Sequence, residues 1–269
     1  MKNNLNPDSF IFETTTIWDF PIRGNWATHK PDYRGNFAPQ IPRNIINQYS
    51  KEGELVLDPM VGSGTTLIEA RLMNRNAIGV DINSEALEIT KSRINFEIDN
   101  SSEQTAYIGD VRNLENISND SIDLIVTHPP YFNLVTYSDG KNPKDLSSIS
   151  KLPDFIRELR IGIKELFRVL KTDHYCSILI GDTRKGQHLI PLSSFVLNVF
   201  LHEGFVLKEQ IIKTQHNTKF ENKWRISAKK YQFYLIMHEH LFVFRKPKNG
   251  EKLNKIIFST WEGMKNLSG

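Results

Sequence analysis

Two short segments carry residue types that could do chemistry. The first, Val126-Thr127-His128-Pro129-Pro130-Tyr131, closes an apolar run. Proline at 129 has a fixed φ and no N–H, so its carbonyl can face a pocket without a competing donor beside it. Tyr131 offers a π-face on which a flat ring could stack, and His128 brings a nitrogen that can hydrogen-bond. Such a set suits a site gripping an amino-bearing ring. A plain strand-ending turn is the simpler alternative, since Pro-Pro is a common punctuator.

The second segment runs Leu55-Val56-Leu57-Asp58-Pro59-Met60-Val61-Gly62-Ser63-Gly64-Thr65-Thr66. It reads as an apolar strand, a glycine turn and the start of a helix, with Gly62 and Gly64 allowing a tight bend close to a ligand. No lysine follows the glycines, which excludes a phosphate-cradling loop. A third glycine at dinucleotide spacing is also missing, and Asp58 would repel a pyrophosphate. That carboxylate suits a cationic group instead, such as the ammonium of an amino acid moiety. Two more apolar stretches end in acids, at Asp81 and Asp110. The first is placed to grip ribose hydroxyls, the second to accept from an adenine amine. Either could be a helix cap or a solvated loop residue. Three acids at three successive strand ends would surround an adenosine with an amino acid tail.

With these residues in hand, the chain resembles the amino-directed DNA methyltransferases, which methylate the exocyclic nitrogen of cytosine (N4) or adenine (N6) using S-adenosylmethionine. Asp58 to Thr66 matches their cofactor signature, and His128-Pro129-Pro130-Tyr131 matches their catalytic tetrad. The segment Arg34 to Pro42 resembles the motif that folds over the methionine end, and Glu239 to Lys246 resembles a closing hairpin strand. The resemblance implies an α/β, Rossmann-like class I fold. It implies a mostly parallel sheet with one reversed strand in a C-terminal hairpin. It also implies a cofactor set of Phe37, Asp58, Pro59, Gly62, Gly64, Thr65, Asp81, Ile82, Asp110 and Val111. His128, Pro129, Pro130 and Tyr131 would be catalytic, acting on a base flipped out of double-stranded DNA. A cognate restriction endonuclease and a homodimer are compatible partners.

His128 departs from the Asp, Asn or Ser usual at the first tetrad position. The chemistry asks for an acceptor, because an exocyclic amine has its lone pair delocalised into the ring. Neutral imidazole accepts at one nitrogen and imidazolium at none. His128 is therefore expected to work in its neutral form, the rival being a structural histidine turned away from the base. Histidine gives no guide to the base. The stretch from Gly181-Asp182-Thr183 to Lys213 inclines the reading to N4-cytosine. The alternatives are methylation of guanine N2 in RNA or of glutamine in proteins, or a non-catalytic binding module.

The elements that must position these groups follow from periodicity. Strands are expected at 55–58, 76–81, 105–108, 122–126, 175–181, 205–213 and 235–245, and helices at 64–74, 84–97, 154–170 and 191–203, with a short one near 42–49. Residues 132–150 read as a mobile loop beside the tetrad. A polar lead-in covers 1–16, the methyltransferase domain 17–248 and a C-terminal extension 249–269. A small target-recognition region at about 214–234 holds Lys219, Lys223, Arg225, Lys229 and Lys230 among aromatics, a pattern suited to phosphates and bases. A solvated loop is the bland alternative.

Composition agrees. The 269 residues carry a net charge of only +3, so the clustering of charge says more than its sum. One cysteine, Cys176, forms no intramolecular bridge and fits a reducing compartment. No Cys/His spacing resembles a zinc site, so no metal is expected. The start lacks an apolar leader and no run reaches membrane-spanning length, so a cytoplasmic protein is expected.

Overall fold

A computed structural model describes residues 4–7, 9–132, 144–216 and 221–266. The strands are β1 (Ile17–Trp18), β2 (Leu55–Asp58), β3 (Asn76–Asp81), β4 (Gln104–Ile108), β5 (Ile122–Thr127), β6 (Leu170–Ile180), β7 (Thr183–Lys185), β8 (His188–Ile190), β9 (Val206–Thr214) and β10 (His238–Arg245). The helices are α1 (Gln40–Tyr49), α2 (Thr65–Leu72), α3 (Ser84–Ile94), α4 (Leu152–Val169), α5 (Leu192–His202), α6 (Glu221–Tyr231) and α7 (Trp261–Asn266). Eight strands form one sheet in the order β1-β9-β10-β6-β5-β2-β3-β4. Only β10 runs against its neighbours β6 and β9; the remaining pairings are parallel. This is the α/β, mostly parallel arrangement with one reversed strand that the sequence predicts.

Strand β5 explains why the tetrad sits deep. All six of its residues are buried, as expected for a central strand covered on both faces. Val56, Leu124 and Val126 pack toward α1 and α2, while Leu57 and Ile125 pack toward α4 and α5. Helix α4 shows the matching periodicity: Phe155, Leu159, Ile163 and Leu166 are buried on one face. Each such side chain contributes about 1.5–3 kcal/mol on leaving water. Cys176 is buried within β6, and burial pushes its thiol pKa up.

The parallel strands β2 to β5 all end at one edge, so Asp58, Asp81, Asp110 and His128 meet there. In open α/β sheets that edge is where ligands bind. Strand β9 runs parallel to them, so α6, which follows it, projects from the same edge. Among the described residues, no helix is long and apolar enough to cross a membrane.

Candidate active site

The glycine turn is built by backbone conformation. Gly64 precedes α2 with φ 85°, a left-handed conformation that costs other residues free energy, and a Cβ there would stand 3.1 Å from the Thr90 side chain. The Gly62 amide donates to Asp81 Oδ2 (2.8 Å) and the Asn83 amide to Asp81 Oδ1 (2.9 Å). One acid thus ties the turn after β2 to the end of β3. Asp58 accepts from the Thr66 hydroxyl (2.6 Å) and the Met60 amide (3.2 Å). It is only 2% exposed, and burial pushes its pKa up to about 7. Burial also raises the Asp81 pKa, with the nearby charge of Asp145 adding to the effect. Asp110 differs. Burial acts to raise its pKa as well, yet Arg112, bonded to both carboxylate oxygens at 2.6–3.1 Å, holds it below the usual range.

These acids line a single pocket. Of the predicted cofactor set, Phe37, Asp58, Pro59, Gly62, Thr65, Asp81, Ile82, Asp110 and Val111 face it, as do His128 and Pro130 from the tetrad. Gly64, Pro129 and Tyr131 lie outside its lining. Acids at three successive strand ends, with apolar Phe37, Ile82 and Val111 among the lining, suit a cationic amino acid tail joined to an adenosine. The wall also includes Tyr33, Asn83, Lys144 and Asp145, which motif reading does not single out. Tyr33 and Asn83 adjoin recognised motifs and could have been reached by extension. Asp145 caps a short 3-10 turn through the Ser147 amide (2.8 Å), and nothing in its local sequence separates it from an ordinary loop aspartate. Of the predicted mobile loop, residues 133–143 lie outside the described residues.

A long N-terminal segment forms the roof. Glu69 on α2 is fully buried and accepts from Trp26 Nε1 (2.7 Å), His29 Nε2 (2.6 Å) and Arg43 Nη1 (2.9 Å). Arg23 donates to the Phe37 carbonyl (2.6 Å), and Gln40 bonds the backbone of Ile22 and Gly24. Phe37 is thereby held against His128, with ring centroids 5.4 Å apart.

The tetrad has its own network. His128 Nε2 lies 2.8 Å from the Tyr131 hydroxyl, and that hydroxyl donates to Glu239 Oε1 at 2.6 Å. Lys213 donates to Glu239 Oε2 at 3.0 Å. The Tyr131 ring fits a notch that only glycine leaves open, since a Cβ at Gly181 would stand 2.6 Å from it. Among the described residues His128 Nδ1 is withdrawn from solvent and makes no hydrogen bond of ordinary geometry, though the Gly35 backbone acts on the ring as an acceptor. Burial lowers the His128 pKa, Glu239 partly opposing and Lys213 assisting, so the ring is neutral near pH 7.

The predicted recognition residues separate from this core. Lys223, Arg225, Lys229 and Lys230 are exposed on α6, with Trp224, Tyr231 and Tyr234 exposed nearby; Lys219 lies outside the described residues. At the opposite end of the sheet, Glu54, Asp123 and His174 converge. There Lys171 already neutralises Asp123 at 2.6 Å.

Comparison with known proteins bears on all of this. The profile of a DNA methylase family matches residues 7–92 and 122–265. The Type II methyltransferase M.HpaI of Haemophilus parainfluenzae is 48% identical over 83 residues, 31% of this chain and 26% of that protein. The Type II methyltransferase M2.DpnII of Streptococcus pneumoniae is 39% identical over 74 residues, 28% of this chain and 25% of that protein. A tRNA (guanine(10)-N2)-dimethyltransferase of Methanothermobacter thermautotrophicus is 34% identical over 106 residues, 37% of this chain and 29% of its own length. The chain therefore spans only about a quarter of the length of these relatives. Among solved structures, TrmN from Thermus thermophilus superposes with a TM-score of 0.52 at 14% identity, over 79% of this chain and 50% of that one.

Proposed function

The chain belongs to the DNA methylase family, and from that premise we propose that it transfers a methyl group from S-adenosylmethionine to the exocyclic amine of a base in DNA, N4 of cytosine being favoured over N6 of adenine. One observation carries the reading. A single pocket is lined both by the acids and glycine turn of the cofactor signature and by His128 and Pro130 of the tetrad, so cofactor and base sites adjoin.

When bound, the cofactor supplies an electrophilic methyl group on a sulfonium, and the protein's own residues do the rest. Asp58 attracts the ammonium end, Asp81 offers acceptors to the ribose, and Phe37, Ile82 and Val111 flank the adenine. Asp110, kept ionised by Arg112, accepts from the adenine amine. Neutral His128 and the Pro129 carbonyl take the two hydrogens of the target amine, which localises its lone pair toward the methyl. Tyr131 borders the flipped base. Positioning two reactants this way is worth several kcal/mol. Helix α6, with Lys219 just before it, supplies the positive surface for double-stranded DNA. A restriction endonuclease partner and a homodimer belong to the same proposal.

The preference for cytosine rests on the resemblance of the stretch from Gly181 to Lys213. The test is to incubate the protein with labelled S-adenosylmethionine and unmethylated DNA, then identify modified nucleosides by mass spectrometry. N4-methylcytosine is expected. N6-methyladenine keeps the reaction and changes the base, whereas label confined to RNA, as the tRNA methyltransferase relative would suggest, overturns the DNA assignment.

A further inference from the structure

The acceptor role of His128 depends on which ring nitrogen carries the hydrogen, and the surrounding network decides that. Glu239 and Lys213 stand directly opposite one another on β10 and β9, an opposite-charge cross-strand pair. Both are largely buried, with side chains 9% and 15% exposed. A buried ion pair of this kind adds little net stability, because desolvating both charges consumes most of the attraction. What it does supply is a carboxylate that only accepts. Burial works against that ionisation, and Lys213, His128 and Tyr131 outweigh it.

Tyr131 has one hydroxyl hydrogen. With an ionised Glu239 at 2.6 Å, that hydrogen points to Oε1, leaving only lone pairs toward His128. The 2.8 Å contact to Nε2 is then a hydrogen bond only if Nε2 bears hydrogen. A neutral imidazole with hydrogen on Nε2 has a bare lone pair on Nδ1, the buried atom that makes no hydrogen bond of ordinary geometry among the described residues; the Gly35 backbone beside the ring works the other way, favouring hydrogen there. We propose that Glu239, anchored by Lys213, acts through the Tyr131 hydroxyl as a positioning residue that fixes the tautomer of His128 and leaves Nδ1 as the acceptor for the target amine. This rests on the methyl-transfer reading above. It makes the reversed strand part of the reaction machinery, and it assigns Tyr131 a polar task beside any stacking. The same relay lets histidine serve where a carboxylate, amide or hydroxyl would accept without tautomeric choice.

The experiment is nitrogen-15 NMR of the full chain with labelled histidine. The His128 signals among the eight histidines are identified by their loss in His128→Asn. The wild-type protein should show hydrogen on Nε2 and a bare Nδ1. In Glu239→Gln, the amide can donate to the Tyr131 oxygen, the hydroxyl hydrogen turns toward Nε2, and the tautomer should switch to hydrogen on Nδ1, facing the backbone of Gly35. With the switch, kcat should fall about a hundredfold while KM for the cofactor changes less than twofold. Tyr131→Phe should remove most of the further effect of Glu239→Gln on kcat. Hydrogen on Nδ1 in the wild type overturns the proposal even if the variants fail to fold, and so does a tautomer unchanged in Glu239→Gln. A tautomer that switches while kcat stays put upholds the relay and removes His128 from catalysis, which separates this inference from the reading beneath it.

Discussion

Burial shifts protonation at Asp58 and His128, the residues proposed to hold the cofactor's ammonium and to accept from the target amine. With its pKa near 7 in the folded chain against 3.8 for the ordinary value, Asp58 holds a proton in the folded state that the unfolded state has lost between those pH values. Its stabilising contribution is thus present below about pH 4 and disappears as pH rises through 7, a penalty on the order of 4 kcal/mol above that point. A cationic ligand would relieve it. Calorimetric titration should therefore show S-adenosylmethionine binding roughly tenfold more tightly at pH 8 than at pH 6, with proton release; pH-independent affinity would remove Asp58 from the ammonium site. Asp58→Asn should melt higher than the wild type at pH 8 without ligand, and bind the cofactor poorly. For His128, burial lowers the pKa from 6.5, Glu239 opposing and Lys213 assisting. The acid limb of the kcat profile should accordingly fall below pH 6.5, and a limb above it would contradict a neutral, buried acceptor.

At the level of elements, the roof over the pocket depends on Glu69. Glu69→Ala strands Arg43 without its counter-charge and Trp26 and His29 without their acceptor, and removing one partner of a buried pair costs on the order of 3–5 kcal/mol. The variant should lose cofactor affinity before DNA affinity, as fluorescence titrations with each ligand would show; the reverse order would mean that the roof serves the DNA. Helix α6 predicts the opposite separation. Replacing Lys229 and Lys230 with Ala should lower the slope of log affinity against log salt by about 2 and leave cofactor binding intact. The elements were legible in the sequence where their cause is local: short apolar runs marked β2 to β5, and apolar periodicity marked α4. The two-residue β1 and the small β7–β8 hairpin carry no such signal, being held by pairing to distant strands. The site divides likewise. Glycines and acids at strand ends can be read from spacing, whereas the contacts from Glu239 to Tyr131, |i−j| of 108, and from Glu69 to Trp26 exist only once the sheet and roof have closed.

Taken as a whole, the described chain has two hydrophobic clusters on the two faces of one sheet, and β2, β5 and β6 contribute side chains to both. Neither face can lose its packing while the other keeps its strands in register. Thermal unfolding of the ligand-free protein should be a single cooperative transition, with calorimetric and van't Hoff enthalpies equal; two resolved transitions would mean that the faces are separate units. The segment proposed for target recognition meets the rest of the fold at few points, one being Arg184, which donates to the Tyr234 carbonyl at 2.7 Å and lies over the Phe233 ring. The segment leaves from β9 and returns to β10 where Thr214 pairs with His238 and the Gln215 amide donates to the Met237 carbonyl at 2.9 Å. An insertion whose two ends are already clasped adds little closure entropy, each doubling of length costing about 0.6 kcal/mol. On the proposed function, the region at about 214–234 should therefore be exchangeable. Grafting in a segment of different length and composition should give chimeras that melt with the parent and bind the same cofactor while reading a new address on the duplex.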